Sequence, residues 1–341
     1  MRLKNKIQRV NGFDVKTKEL IWQSQILYCD GNIIYEDDIL EFYAYKNVVI
    51  VINSEGITYI NLDNNTRKKI EIVFGVNSFI NETEIIYGYP NENYSGSYVS
   101  KFNLETEEFV WIKDAFFIKT FFKNNFHFVG GSSIYKLNTD NGNAPWQFDL
   151  SQFGTYPFRS EGERPYEVQK FIGVMDNVLW VEISDSNLLA LNVDTGHLNR
   201  RMNCRSMVPE EIGVQGGPNS YMLDEKNRRI VWLSNTALFY INLQNGEIEV
   251  IKDFWNVDLP DRWYFGGMTL YEDKIYFSGA KGKGNTFFKT WIGVMDAETG
   301  TVLWHEKIDL PDSKSLGIPQ VSKDKLYVLA TNGDLYIYEK E

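Results

Sequence analysis

One pattern recurs along the chain and constrains the fold more than any other feature. A short alternating apolar strand ends in Asn or Asp, polar turn residues follow, and a second strand then often ends in Trp. Copies lie at 12–22, 59–65, 101–111, 135–146, 190–198, 240–248 and 293–304, and the first strand alone returns at 334–339. The fullest copy reads Asp296-Ala297-Glu298-Thr299-Gly300 and continues to Trp304. Aligned on the turn-entry residue, the copies fall at Asp14, Asn61, Asn103, Asn138, Asn192, Asn242, Asp296 and Glu339. The mean spacing is about 46 residues, the length of a four-stranded propeller blade.

Each part of the unit has a physical reason. Gly, Asn and Asp tolerate the positive φ that tight hairpins demand. Period-2 alternation sends one set of side chains to each face of a sheet, so a stack of such sheets buries both faces. Between the copies lie further short, β-branched or aromatic strand candidates at 48–52, 84–87, 126–129, 178–183, 230–233, 274–278 and 325–329. No window carries the period of an amphipathic helix. The expectation is an all-β fold, a seven-bladed β-propeller of four-stranded blades, with eight blades as the alternative. It would form a single domain over residues 1–341. The hairpin at 10–22 would complete the C-terminal blade and close the ring.

The strand, Asp, Thr-Gly, strand, Trp pattern resembles the PQQ-like repeat, most specifically at 296–304 and 14–22 and least at 61–70. The resemblance covers the chain from about residue 10 to 339. It implies that Trp22, Trp111, Trp146 and Trp304 are structural and pack between blades. The same repeat occurs in quinoprotein dehydrogenases and in non-enzymatic, WD40-like propellers. Those enzymes use adjacent cysteines, a catalytic Asp and a Ca²⁺ held by Glu and Asn. Here the two cysteines are Cys29 and Cys204, far apart in sequence, so no quinone cofactor and no catalytic residue are expected.

Other chemistry lacks its motif. His127, His197 and His305 are isolated, and the last two sit beside repeat turns, so no metal site is expected. The glycine-rich stretch at 279–285 precedes no helix and reads as a hairpin tip rather than a phosphate loop. The formal net charge of −11 disfavours nucleic acid and anionic membranes and favours a basic protein partner. No apolar segment follows Met1, so the expectation is a cytoplasmic, monomeric protein without export signal or lipidated cysteine.

The uneven spacing points to where a partner would bind. Long insertions follow the fourth strands at about 150–169, 200–218 and 253–267. They carry Phe153, Tyr156, Phe158, Arg159, Arg164 and Tyr166, then Arg200, Arg201 and Arg205, then Trp255, Arg262, Trp263 and Tyr264. Two longer loops, at 90–97 and 281–290, should emerge at the same end of their blades. Insertions gathered on one face of a repeat protein mark its binding face, and aromatic and Arg enrichment is typical of interface anchors. The reading is a non-catalytic scaffold, in one version a bacterial immunity protein neutralising a cognate toxin. The alternatives are a small-molecule or sugar enzyme working in an axial channel and a scaffold of the outer-membrane assembly type.

Overall fold

The computed structural model describes residues 1–16, 18–71, 76–90, 97–115, 119–123, 126–158, 162–212, 221–258, 261–282 and 289–340. The chain is an all-β propeller of eight four-stranded antiparallel blades. Two compact units share them.

The unit spanning Glu36–Arg201 holds blades two to five. Blade two is built from Glu41–Tyr45, Val48–Asn53, Gly56–Asn61 and Thr66–Ile70. Blade three follows as Val76–Phe79, Glu84–Pro90, Ser97–Asn103 and Glu108–Ala115. Blade four is Lys119–Lys123, Phe126–Gly130, Ser133–Leu137 and Trp146–Asp149. Blade five is Val168–Met175, Val178–Ile183, Asn187–Asn192 and Leu198–Asn203.

The other unit joins Met1–Tyr35 to Met202–Glu341. Blade six is Tyr221–Asp224, Arg229–Leu233, Ala237–Asn242 and Ile248–Asp253. Blade seven is Trp263–Tyr271, Lys274–Lys281, Trp291–Asp296 and Val302–Lys307. Blade eight takes Gln320–Ser322, Lys325–Leu329 and Leu335–Glu339 from the C-terminus and Arg2–Ile7 from the N-terminus. Lys4 pairs with Glu339, and Lys6 with Asp334 at 2.8 Å, across that junction.

Blade one corrects one expectation and gives the eight blades expected as the alternative. The hairpin at 10–22 does not join the C-terminal blade. Val10–Asp14 and Leu20–Gln23 are the first two strands of a blade completed by Ile26–Cys29 and Asn32–Glu36. The repeat-like turn there links first and second strands, whereas every other copy links third and fourth. Blade one's own third-to-fourth link is the two-residue turn Asp30-Gly31, at φ 49° and 82°. This compressed blade raises the number from seven to eight.

The turns explain the recurring residues. Asn192 Oδ1 accepts the backbone N–H of Asp194 and Thr195, both at 3.0 Å, and Asp296 Oδ1 accepts those of Glu298 and Thr299 at 3.1 and 2.8 Å. The fifth residue then closes back, as Gly196 N–H does onto Asn192 O at 2.9 Å. Its φ of 69° suits glycine.

The repeat tryptophans lock one blade to the next within a unit. Trp111 of blade three donates Nε1–H to Thr139 O of the blade four turn at 3.0 Å. Trp146 of blade four donates to Val193 O of the blade five turn at 2.9 Å. Trp304 meets Tyr338 edge-on at 5.3 Å. Blade two lacks the tryptophan, and Lys68 occupies the equivalent register position. Its ammonium donates to Leu104 O and Glu105 O at 3.2 and 2.9 Å. Trp22 differs: it donates to Ser24 O of its own hairpin.

The apolar cores lie between successive sheets of a unit, as the alternation requires. One joins blades four and five through Phe128, Trp146, Phe171 and Leu191, and another joins blades six and seven through Leu233, Trp263 and Phe277. Outer strands carry register shifts in blades three, six, seven and eight. Such irregularities blunt an edge against pairing with another chain.

Candidate functional site

The plain link between blades is short, as from Glu36 to Glu41. The three insertions depart from it, and each builds structure of its own.

In the unit holding blades two to five, the first insertion opens with a 3-10 turn, Leu150–Phe153, capped by Asp149, whose side chain accepts Ser151 N–H at 2.8 Å. That acceptance holds the Asp149 carboxyl below the usual carboxylate range. A small hairpin of Thr155–Pro157 against Glu163–Pro165 follows. Its aromatic side chains form a row of edge-on and tilted contacts. Phe158 meets Tyr156 at 6.2 Å, and Tyr156 meets Tyr166 at 5.1 Å. Tyr166 in turn meets Phe153 edge-on at 6.1 Å. Arg164 lies over Phe158 at 3.9 Å, and Arg201 over Phe153 and Tyr166 at 4.1 and 4.9 Å.

In the other unit, the second and third insertions are tied together. Asn256 Nδ2 of the third donates to Glu211 O of the second at 3.1 Å, and Thr236 Oγ1, in a turn of blade six, donates to Ile212 O of the second at 3.3 Å. Asp253 caps the third insertion by accepting the N–H of Trp255 and Asn256 at 2.8 and 3.1 Å. Arg262 stacks on Trp255 at 4.5 Å. Tyr264 accepts Asn235 Nδ2 at 2.9 Å and lies under Lys289 at 5.0 Å. Beside them, Lys281 Nζ sits 3.3 Å from His305 Nε2 and 5.4 and 5.8 Å from the rings of Trp263 and Trp291. Partial burial and the Lys281 charge push the His305 imidazole below its ordinary pKa. His305 was expected beside the turn of its hairpin; its ring instead reaches the Trp291 end of the blade.

These contacts sort the sequence candidates. Tyr166 and Trp263 are 7% and 4% exposed and serve as core, not as surface anchors. Tyr156, Phe158, Arg200, Trp255, Arg262 and Tyr264 are half-buried. Arg164, Arg201 and Arg205 are exposed. Arg159 lies outside the described residues, as do 91–96 and 283–288 of the two long loops. The sequence reading singled out Phe153 within the first insertion and missed one residue of the site, Asn187. Asn187 sits in a strand with no polar pattern to single it out.

A cavity of about 600 Å³ lies elsewhere, at the turn end of blades three and four. Lys101 and Glu84 line it and pair with each other at 2.7 Å. Among the described residues no cluster of three His, Cys, Asp or Glu side chains is placed to hold a metal ion.

The class that these features define is a β-propeller of eight four-stranded blades with elaborated links after several of the fourth strands. No family model matches the chain, and no curated protein matches it by sequence. Among solved structures it is similar to the computationally designed Ika8 protein, with 11% identity, a TM-score of 0.65, and 99% of this chain and 98% of that one covered. It is similar to Sqt1 of Saccharomyces cerevisiae at 9% identity and a TM-score of 0.60, with 99% of each chain covered. BamB from Moraxella catarrhalis also aligns over 99% of each chain, at 12% identity and a TM-score of 0.48. At these identities the likeness to Ika8 and Sqt1 is one of fold.

Proposed function

We propose that the chain is a non-catalytic, PQQ-like propeller scaffold that binds a protein partner through the long links that follow its fourth strands. One observation carries the reading. The repeat needs only a few residues at these links, yet three of them carry caps and arginines of their own, and in the first and third those arginines lie over aromatic rings, which the propeller does not require. Link residues held by caps and packed rings, with Arg side chains over those rings, suit recognition, since little entropy is lost on binding. The net charge of −11 would steer a partner that is basic overall. A cytoplasmic bacterial immunity protein that neutralises a cationic toxin is the concrete form of this reading.

The test is co-purification of the chain with the product of a neighbouring gene, repeated with Tyr156→Ala, Arg205→Ala and Trp255→Ala combined. The reading expects a stoichiometric complex with the unaltered chain and none with the triple variant, at a melting temperature changed by a few degrees at most. A complex that survives the triple variant sinks it.

A further inference from the structure

Arg201 is held more firmly than an exposed arginine needs to be. Asn187 of the same blade is fully buried. Its amide nitrogen donates to Ser184 O and Asp185 O at 3.2 and 3.0 Å, which braces the Asp185-Ser186 turn. That leaves Oδ1, which accepts from Arg201 Nε at 3.1 Å. The rings of Phe153 and Tyr166, edge-on to each other, then hold the guanidinium carbon 4.1 and 4.9 Å from their centroids.

The orienting group is a neutral amide, so the charge of Arg201 is not compensated by it. Among the described residues, the Nη edge meets neither a hydrogen-bond acceptor nor a carboxylate. A guanidinium stacked on rings keeps its in-plane donors, and two parallel N–H groups match a carboxylate in a bidentate pair. Arg164 stands at the other end of the ring row, stacked on Phe158. The result is an apolar ridge with a guanidinium at each end.

We infer that this ridge is a docking site for a partner segment in which a carboxylate side chain adjoins an apolar residue, with Arg201 gripping the carboxylate through its Nη edge. The inference rests on the scaffold reading and adds to it the chemistry of one anchor. Charge complementarity selects the occupant. The acidity of the whole chain works against extended polyanions and leaves room for a local carboxylate that an otherwise basic protein can supply. Arg201 is a specificity-determining contact here, and Asn187 is a positioning residue that acts through it.

The experiment is fluorescence anisotropy with a labelled peptide that carries two glutamates separated by two leucines. Its dilysine counterpart is the control, with glutarate and inorganic phosphate as competitors. The diglutamate peptide should bind, and the dilysine peptide should not compete with it. Arg201→Met should weaken binding by about tenfold or more, and Arg201→Lys, which keeps the charge without the fork, should recover only part of it. Equal binding of the two peptides, or unchanged affinity in Arg201→Met, overturns the inference. Stronger displacement by phosphate than by glutarate reassigns the fork to phosphoryl groups and overturns it too. Should Arg201→Met fail to fold, Arg201→Lys carries the test: weakened binding is expected, and unchanged affinity overturns the inference. A natural complex that forms normally with Arg201→Met while the diglutamate peptide is refused would reject this anchor and leave the scaffold reading standing.

Discussion

The indole of Trp146 donates its Nε1–H to Val193 O at 2.9 Å, and a Cβ placed on Gly196 would lie 2.6 Å from the same ring. One tryptophan thus reads both the carbonyl and the bare Cα of the next blade's turn. Gly196→Ala meets two penalties, the φ of 69° and the collision with a ring that is itself buried. The combined loss should be about 2–4 kcal/mol. Trp146→Phe keeps most of the packing and gives up the hydrogen bond, for about 1–2 kcal/mol. Chemical denaturation of both variants checks the order: a glycine variant milder than the phenylalanine variant would show that the turn can move away from the ring.

That relationship also explains what the sequence disclosed. The turns at Asn103, Asn138, Asn192, Asn242 and Asp296 were legible because each job demands one residue type: a short side-chain acceptor at entry and, in most copies, glycine at closure. Blade two was faint because Lys68 does the tryptophan's work with an ammonium on two carbonyls, which leaves no recognisable letter. Blade one was misassigned because its third-to-fourth turn shrank to Asp30-Gly31. An Asp-Gly pair is the hairpin signal that should have revealed it, but the nearby 12–22 copy drew the alignment instead. The insertions were legible as insertions. Which aromatics face solvent was not, because Tyr166 and Trp263 carry the same composition signal as Tyr156 and Trp255 and differ only in what packs over them.

The turn at Asp185-Ser186 holds two non-glycine residues at φ 58° and 54°. A turn with both central residues in this region favours glycine at its second position. Ser186→Gly should therefore stabilise the chain by about 0.5–1 kcal/mol, less than the full left-handed penalty because glycine gains freedom in the unfolded chain. A thermal melt decides it, and a lower midpoint would mean that the Ser186 side chain makes a contribution larger than the strain it bears.

His305 and Lys281 should report on each other. The neighbouring ammonium and partial burial lower the imidazole pKa, while Asp261 acts weakly in the opposite sense. Lys281→Met removes a charge and leaves the aliphatic stem against Trp263 and Trp291. The His305 pKa should then rise towards its ordinary value of about 6.5. An NMR titration of the imidazole in both proteins measures the difference directly. No upward movement would mean that desolvation alone sets the shift.

Glu182 of blade five sets the pH dependence. The side chain is 4% exposed, and its Oε2 has no hydrogen-bond partner among the described residues. Burial pushes the carboxyl up to about 8, and the Lys170 charge opposite only moderates this. The folded state therefore holds a proton that the unfolded chain releases near 4.5. This group's contribution to stability is fully present below pH 4.5 and is lost progressively as pH rises to about 8. The loss is on the order of 4 kcal/mol at its upper bound. Above that window Lys170, whose ammonium burial also disfavours, works in the other direction. Glu182→Gln keeps the shape and the hydrogen-bonding capacity of the protonated acid. The variant should match the parent near pH 5, exceed it in stability at pH 8, and show a flatter profile between them. Denaturant midpoints across pH 5–8 test this. A parent profile without that decline, or a glutamine variant that declines as steeply, would place the proton elsewhere and leave Glu182 ionised in the core.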